Sequence, residues 1–206
     1  MKKTTVLLAD DHKIVRMGLS ALFASDRNFS VIAEADNGKS AVEKTLSAKP
    51  DVIIMDLMMP GVDGIEATRQ IKSRLPNSKI VILTSYSTSD KISQALAMGA
   101  DGALLKTTDD TNLLNAVRKV SHGERYLSPD IQKLMANDPP APPLTIRQLE
   151  VLQSIARGLT NADIAKLLAI SEQRVDQHIK VIFTKLGAAN RAEAIGIALR
   201  KHLLKN

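Results

Sequence analysis

Five short apolar runs alternate with segments of helical periodicity over residues 1–122. The runs are TVLLA (5–9), VIAEA (31–35), VIIM (52–55), IVIL (80–83) and ALL (103–105). Between them lie the expected helices 12–25, 39–48, 64–75, 89–98 and 110–121. In the first, Ile14, Val15, Gly18, Leu19, Leu22 and Phe23 recur at helical spacing. Five strands alternating with five helices predict an α/β doubly wound domain with a five-stranded parallel sheet. In such sheets ligands sit beyond the carboxyl ends of the strands, which locates the chemistry before any motif is considered.

The polar residues at those ends are Asp10 and Asp11 after the first strand, Asp56 after the third, Thr84 and Ser85 after the fourth, and Lys106 after the fifth. Asp56 stands in DVIIMDLMMPGVDG, where its apolar neighbours offer it no structural partner. Three clustered carboxylates raise one another's pKa unless a cation lies between them. With oxygen ligands and no cysteine, Mg²⁺ is the fitting ion. A metal, a lysine, a hydroxyl and a carboxylate nucleophile together suit receipt of a phosphoryl group. Taken singly, Asp10 and Asp11 read better as helix caps, and Lys106 reads also as a solvent-facing strand end and Thr84 as a turn residue.

Ahead of residue 144 the chain carries a break. NDPPAPP (137–143) has four prolines in seven residues, which excludes helix and central strand and predicts a stiff extended tether. Ser128 followed by Pro129 signals a short helix leading into it, so 123–143 reads as a linker. Charge is uneven across this break. Residues 1–128 carry 17 Lys/Arg against 15 Asp/Glu, whereas 144–206 carry 10 against five, a net +5 that points to a polyanion partner or to a solvated basic surface. Aromatic content of 2% argues against base stacking on aromatic platforms. The apolar runs fall short of a membrane span, and the start MKKTTVLLADD does not read as a signal peptide, so a cytoplasmic location is expected.

Residues 144–206 read as all-α, with four helices. Thr145 with Gln148 forms a capping-box pattern, Gly158 signals the end of that helix, Ser171 caps the third and Gly187 stops it. Helices 161–171 and 171–187, joined through AIS, form a helix-turn-helix; an ordinary four-helix packing unit is the alternative. The last helix, 190–204, carries Ile197 and Leu204 on an apolar face, read as part of a dimer contact.

Residues 1–122 resemble a flavodoxin-like response-regulator receiver domain, on LADDH, MDLMMPGVDG, LTSY and GADGALLK. The resemblance implies that Asp56 is the phosphoacceptor. It also implies that Asp11, Asp56 and the Met58 carbonyl ligate Mg²⁺ with Asp10 in support, that Thr84 swings towards the phosphate, and that Lys106 pairs with it. Two positions depart from the family: its usual aromatic three residues before the lysine is Ala103, and the residue after the lysine, often proline, is Thr107. LTIRQLEVL, GLTNADIAKLLAIS and KLGAANRAEAI are similar to the LuxR-type helix-turn-helix of NarL/FixJ-type regulators, here 144–206. By that resemblance Asp176, Gln177 and Lys180 face bases, Arg174 lies nearer the backbone, and Lys185 is a further DNA-binding residue. Asp176 replaces a usual lysine, which means either acceptance from cytosine N4 or weak, altered or lost DNA binding.

Together these imply a transcriptional response regulator and not an enzyme. It would take a phosphoryl group from a sensor histidine kinase and bind double-stranded DNA as a homodimer. Two alternatives stand beside it. One is a regulator working through protein contacts. The other is a Mg²⁺-dependent phosphatase, which would need an acid two residues after its nucleophile, where this chain has Met58.

Overall fold

The computed structural model describes residues 3–85, 89–140, 142–201 and 203–204. Tyr86 of the LTSY motif, Ala141 of the proline-rich stretch and His202 of the expected last helix lie outside the described residues. The chain divides into two compact units, Met1–Pro139 and Pro140–Asn206.

The first unit runs β1 (Thr4–Ala9), α1 (Lys13–Ser25), β2 (Phe29–Ala35), α2 (Gly38–Ala48), β3 (Val52–Met55), α3 (Gly64–Arg74), β4 (Lys79–Thr84), α4 (Ser89–Ala97), β5 (Gly102–Leu105), α5 (Asp110–Ser121), β6 (Tyr126–Leu127) and α6 (Pro129–Asn137). Its strands pair in parallel in the order β2-β1-β3-β4-β5-β6. Successive side chains of a strand point to opposite faces, so each strand feeds two cores. Leu7, Ile53, Met55, Ile80 and Ile82 pack with residues of α2, α3 and α4. Val6, Leu8, Val52, Ile54, Val81 and Leu83 pack with α1 and α5. Burial on both faces is why the strands read as unbroken apolar runs.

The strand order reverses at β1, which lies between β2 and β3. Ala9 is in register with Met55, and the Asp56 amide donates to the Ala9 carbonyl at 2.8 Å. Asp10 and Asp56 therefore leave the sheet side by side. Asp63 caps α3 by accepting from the Glu66 amide, and Gly64 begins that helix against the Asp56 carbonyl. A Cβ on Gly64 would lie 2.0 Å from that oxygen, so only glycine allows α3 to start this close to the strand end.

One expectation needs correction. The sheet has six strands among the described residues, not five: β6 pairs with β5, with Ala103 in register with Leu127. A Cβ on Gly102 would meet the Tyr126 carbonyl at 2.9 Å, so the close pairing depends on the missing side chain. Ahead of the prolines, 123–143 holds β6 and then α6. Ser128 caps α6 as its pattern predicts, and α6 packs on the first core, with Ile131 fully buried and Leu134 and Met135 partly so.

The second unit holds α7 (Ile146–Ala156), α8 (Asn161–Leu168), α9 (Glu172–Leu186) and α10 (Arg191–Arg200). Capping boxes close α7, with Thr145 and Gln148, and α8, with Thr160 and Asp163. Ser171 caps α9, and Gly187 ends it in the left-handed region, at φ 68°. Val175, Ile179, Ile182 and Leu186 form its buried stripe, packed with Val151, Leu152, Ile155, Ile164 and Ala194.

Ile131→Ala should lower the stability of the first unit by about 2–5 kcal/mol, as for other buried large-to-small changes. Chemical unfolding monitored by amide exchange in β1, β3 and β5 measures it; an unchanged first-unit midpoint would show that α6 does not belong to that core.

Candidate functional site

The carboxyl ends of β1, β3, β4 and β5 open into a cleft of about 470 Å³ lined by Asp11, His12, Asp56, Met58, Met59, Pro60, Thr84, Ser85 and Lys106. The side chains expected together from their strand-end positions do converge. The Lys106 ammonium lies 2.5 Å from Asp10 Oδ2 and 2.9 Å from Asp56 Oδ2. Asp10 and Asp56 are buried, Asp11 is exposed beside them, and Thr84 is fully buried at the end of β4. The Lys106 amide donates to the Thr84 carbonyl at 2.9 Å, which fixes the two strand ends relative to each other.

Asp10 and Asp11 do not cap α1. His12 occupies the N-cap position, without a side-chain cap. Asp10 Oδ1 instead accepts from the His12 amide at 2.9 Å, and the Asp10 carbonyl accepts from Arg16 at 2.7 Å. The carboxylate is thus directed into the cleft. His12 is the residue that strand-end reasoning misses. Its Nδ1 lies 2.7 Å from Asp11 Oδ1. One ligand atom from each of Asp10, Asp11, His12 and Asp56 falls within 4.8 Å of the others. The only sequence signal for it is adjacency to the acidic pair.

Asp56 carries the electrostatic strain of the site. Burial pushes its carboxyl above the usual carboxylate range, against the pull of the Lys106 ammonium, and the charge of Asp10 pushes it further up. Burial alone would pull Lys106 down, but its hydrogen bonds to Asp10 and Asp56 hold it above the ordinary lysine value. Asp56 Oδ1 is buried and has no hydrogen-bond partner. A carboxylate with one oxygen on an ammonium and the other bare, beside two more carboxylates, can accept a divalent cation. It can also attack an electrophile presented from the cleft. Met58 is half exposed at the rim, and its sulfur lies 2.8 Å from Lys91 Nζ.

The second candidate surface is the outer side of α9. Arg174, Gln177 and Lys180 are exposed, and Asp176 is half exposed. All four lie away from the buried stripe. Asp176 Oδ2 is 2.9 Å from Lys180 Nζ, one turn further on. Lys185 is placed differently: its ammonium donates to the Pro143 carbonyl at 2.7 Å and to Gln148 Oε1 at 3.0 Å. It joins α9 to the start of α7 and does not extend from the outer side. Ile197 belongs to the core of the unit, not to an outward contact, and Leu204 packs against that core. Leu199 is the half-exposed apolar residue of α10.

A family model of response regulator receiver domains matches residues 6–118, and one of bacterial regulatory proteins of the luxR family matches residues 142–198. The chain is 37% identical over 205 residues to the response regulator protein VraR of Staphylococcus saprophyticus, covering 97% of this chain and 98% of that protein. VraR of Staphylococcus aureus matches with the same identity and coverage. Among solved structures, the response regulator ChrA of a heme-sensing two-component system is 36% identical, covers 99% of this chain and all of its own, and superposes with a TM-score of 0.59. A structure of two RcsB dimers bound to two parallel DNAs is 26% identical, with coverage of 97% and 99% and a TM-score of 0.71. No helix among the described residues is long and apolar enough to cross a membrane.

The raised carboxyl of Asp56 has a consequence for stability. A carboxylate whose folded value lies above its unfolded value costs stability while ionised, and the cost fades as pH falls through the folded value. With a chelator present, Asp56→Asn should melt above the parent protein at pH 7, and the difference should shrink as the pH is lowered. Lys106 keeps Asp10 as a partner in the variant. Thermal melts across that range test it; a variant that melts lower at pH 7 would show that the Lys106 pair outweighs burial.

Proposed function

The chain belongs to the two-component response regulators that join a receiver domain to a luxR-type helix-turn-helix domain, and from that premise we propose that it is a DNA-binding transcription regulator controlled by phosphorylation of Asp56. The observation that carries this is the buried Asp56, with one oxygen on Lys106 and the other without a partner in the cleft. The donor set fits a divalent cation, because the bare Oδ1 and the neighbouring carboxylates crowd negative charge that one lysine does not neutralise. Asp11, Asp56 and the Met58 carbonyl would hold Mg²⁺, with Asp10 supporting it. The bound ion would supply charge neutralisation for the phosphoryl oxygens.

A sensor histidine kinase is the proposed donor. The Asp56 carboxylate attacks the phosphorus of its phosphohistidine, the P–N bond breaks, and the imidazole leaves with the electron pair. Lys106, released from part of its pairing, faces the phosphoryl oxygens, and Thr84 turns towards them. Asp56 then carries about −1.5 to −2 charges. Two residues after Asp56 stands Met58, whose thioether has no proton to give a leaving group, so turnover of an outside phosphate ester is not part of the reading.

The receiver, in this reading, extends through α6, and the prolines after it form the tether. Ser89 at the start of α4 is fully buried and donates at 3.1 Å to Asp138, the C-cap residue of α6. That hydrogen bond joins the start of α4 to the root of the tether. The second unit would place α9 in the major groove and bind DNA as a dimer; dimers of the RcsB relative are described bound to DNA. A kinase donor and a DNA target both argue for a cytoplasmic location.

Asp56→Ala should abolish labelling by acetyl phosphate in the presence of Mg²⁺. Intact-mass measurement reads the phosphorylated fraction; an unchanged fraction would overturn the assignment of the acceptor. For the dimer, Leu199→Asp should weaken binding to a DNA with two half-sites by about tenfold more than binding to a single half-site, whereas Ile197→Asp should weaken both together by unfolding the unit. Equal losses for Leu199→Asp would remove α10 from the contact.

A further inference from the structure

Five acids lie in residues 144–206, and four of them have a structural duty. Asp163 completes the capping box of α8. Glu193 accepts from the Ala189 amide at 2.8 Å. Glu150 pairs at 2.8 Å with Arg147, which also donates to the Leu168 carbonyl and so ties α7 to the end of α8. Glu172 stands in the first turn of α9, where negative charge suits the helix dipole. Asp176 differs. Its side chain is 49% exposed and meets Lys180, 76% exposed, at 2.9 Å. An exposed pair one turn apart contributes little to helix stability, and α9 is already held by its buried stripe and both caps. A carboxylate on a surface meant for DNA also opposes binding to the phosphates. A residue that adds little to the fold and opposes non-specific binding calls for a role in recognition.

We propose that Asp176 and Lys180 act as one unit that reads a single G·C base pair, an inference that rests on the reading of α9 as the helix that enters the major groove. A carboxylate only accepts hydrogen bonds and an ammonium only donates them. Held 2.9 Å apart on one edge of the helix, they present an acceptor beside a donor. In the major groove a G·C pair offers the N4 donor of cytosine beside the O6 and N7 acceptors of guanine. An A·T pair also sets a donor beside an acceptor, but thymine gives the ammonium one acceptor crowded by a methyl group, where guanine gives two. The pairing has a second effect. It ties Lys180 to the helix edge and away from the nearest phosphate, so a contact that would carry no sequence information becomes one that does. Gln177, one residue on from Asp176 and exposed, lies to one side of the pair and would meet the adjoining base.

The test uses the full chain with beryllofluoride and Mg²⁺. Duplexes are selected from random sequence, and each G·C pair of the selected site is then exchanged for A·T. Affinities are read by fluorescence anisotropy across a salt series for the parent, Asp176→Ala, Lys180→Met and the double variant, with circular dichroism melts to show that all four fold alike. The expected result is one G·C position per half-site whose exchange weakens the parent about tenfold, as for one good base contact. The same exchange should weaken each variant less than about threefold, and the double variant should lose no more discrimination than either single one. An unchanged base profile in Asp176→Ala, with tighter binding to every duplex, would overturn the proposal and leave Asp176 as a charge that merely limits affinity. Independent, additive losses from the two residues would overturn their acting as a unit. Failure of the parent to enrich any duplex would overturn the DNA-binding reading itself, and this proposal with it.

Discussion

Asp56 ends a strand that is buried on both faces, and the free energy of keeping a carboxylate there governs what surrounds it. Burial disfavours its charge, and Asp10 adds like-charge repulsion. The Lys106 ammonium offsets both, bonded to one oxygen of each acid. That arrangement requires three strand ends to meet, and the sheet order supplies it: β1 and β3 are neighbours, and β4, beside β3, carries β5 on its other edge. The compensation is incomplete, since Asp56 Oδ1 remains bare. A cluster left with excess negative charge attracts a divalent cation more strongly than one whose charges already balance.

The parallel sheet was legible because strands buried on both faces leave continuous apolar runs, and the runs end one residue before the acids. The helix termini were legible because caps use few residue types: Thr145 with Gln148, Ser128 before Pro129, and Gly187 stand where their patterns place them. What escaped depends on contacts distant in sequence. β6 is two residues long and has no periodicity to detect. The packing of α6 rests on Ile131, which looks like any apolar residue in a short amphipathic helix until its place on the sheet is known. Lys185 looks like a free cation, yet its partners Pro143 and Gln148 lie 42 and 37 residues away in sequence. Ile197 and Leu199 share a helix and a residue class, and only packing separates the core residue from the half-exposed one.

The missing aromatic of β5 finds its physical setting in the same contacts. Ala103 is fully buried, in register with Leu127, and its carbonyl accepts from the Ser128 amide at 3.0 Å. It belongs to the same core cluster as Ile131 of α6. A strand edge covered by another strand and a helix has no open side into which a large ring could rotate, so a residue as small as alanine fits where the family usually keeps an aromatic. The same covering gives the first unit a different mechanical connection. The Ser89 hydroxyl reaches the Asp138 carboxylate, so the start of α4 and the end of α6 are joined directly. α6 is held by Ile131 at its first turn and by this bond at its C-cap, Asp138, and the prolines follow at once. Proline limits the rotation of the segment it occupies, so Pro139 and Pro140 stiffen the chain directly after Asp138.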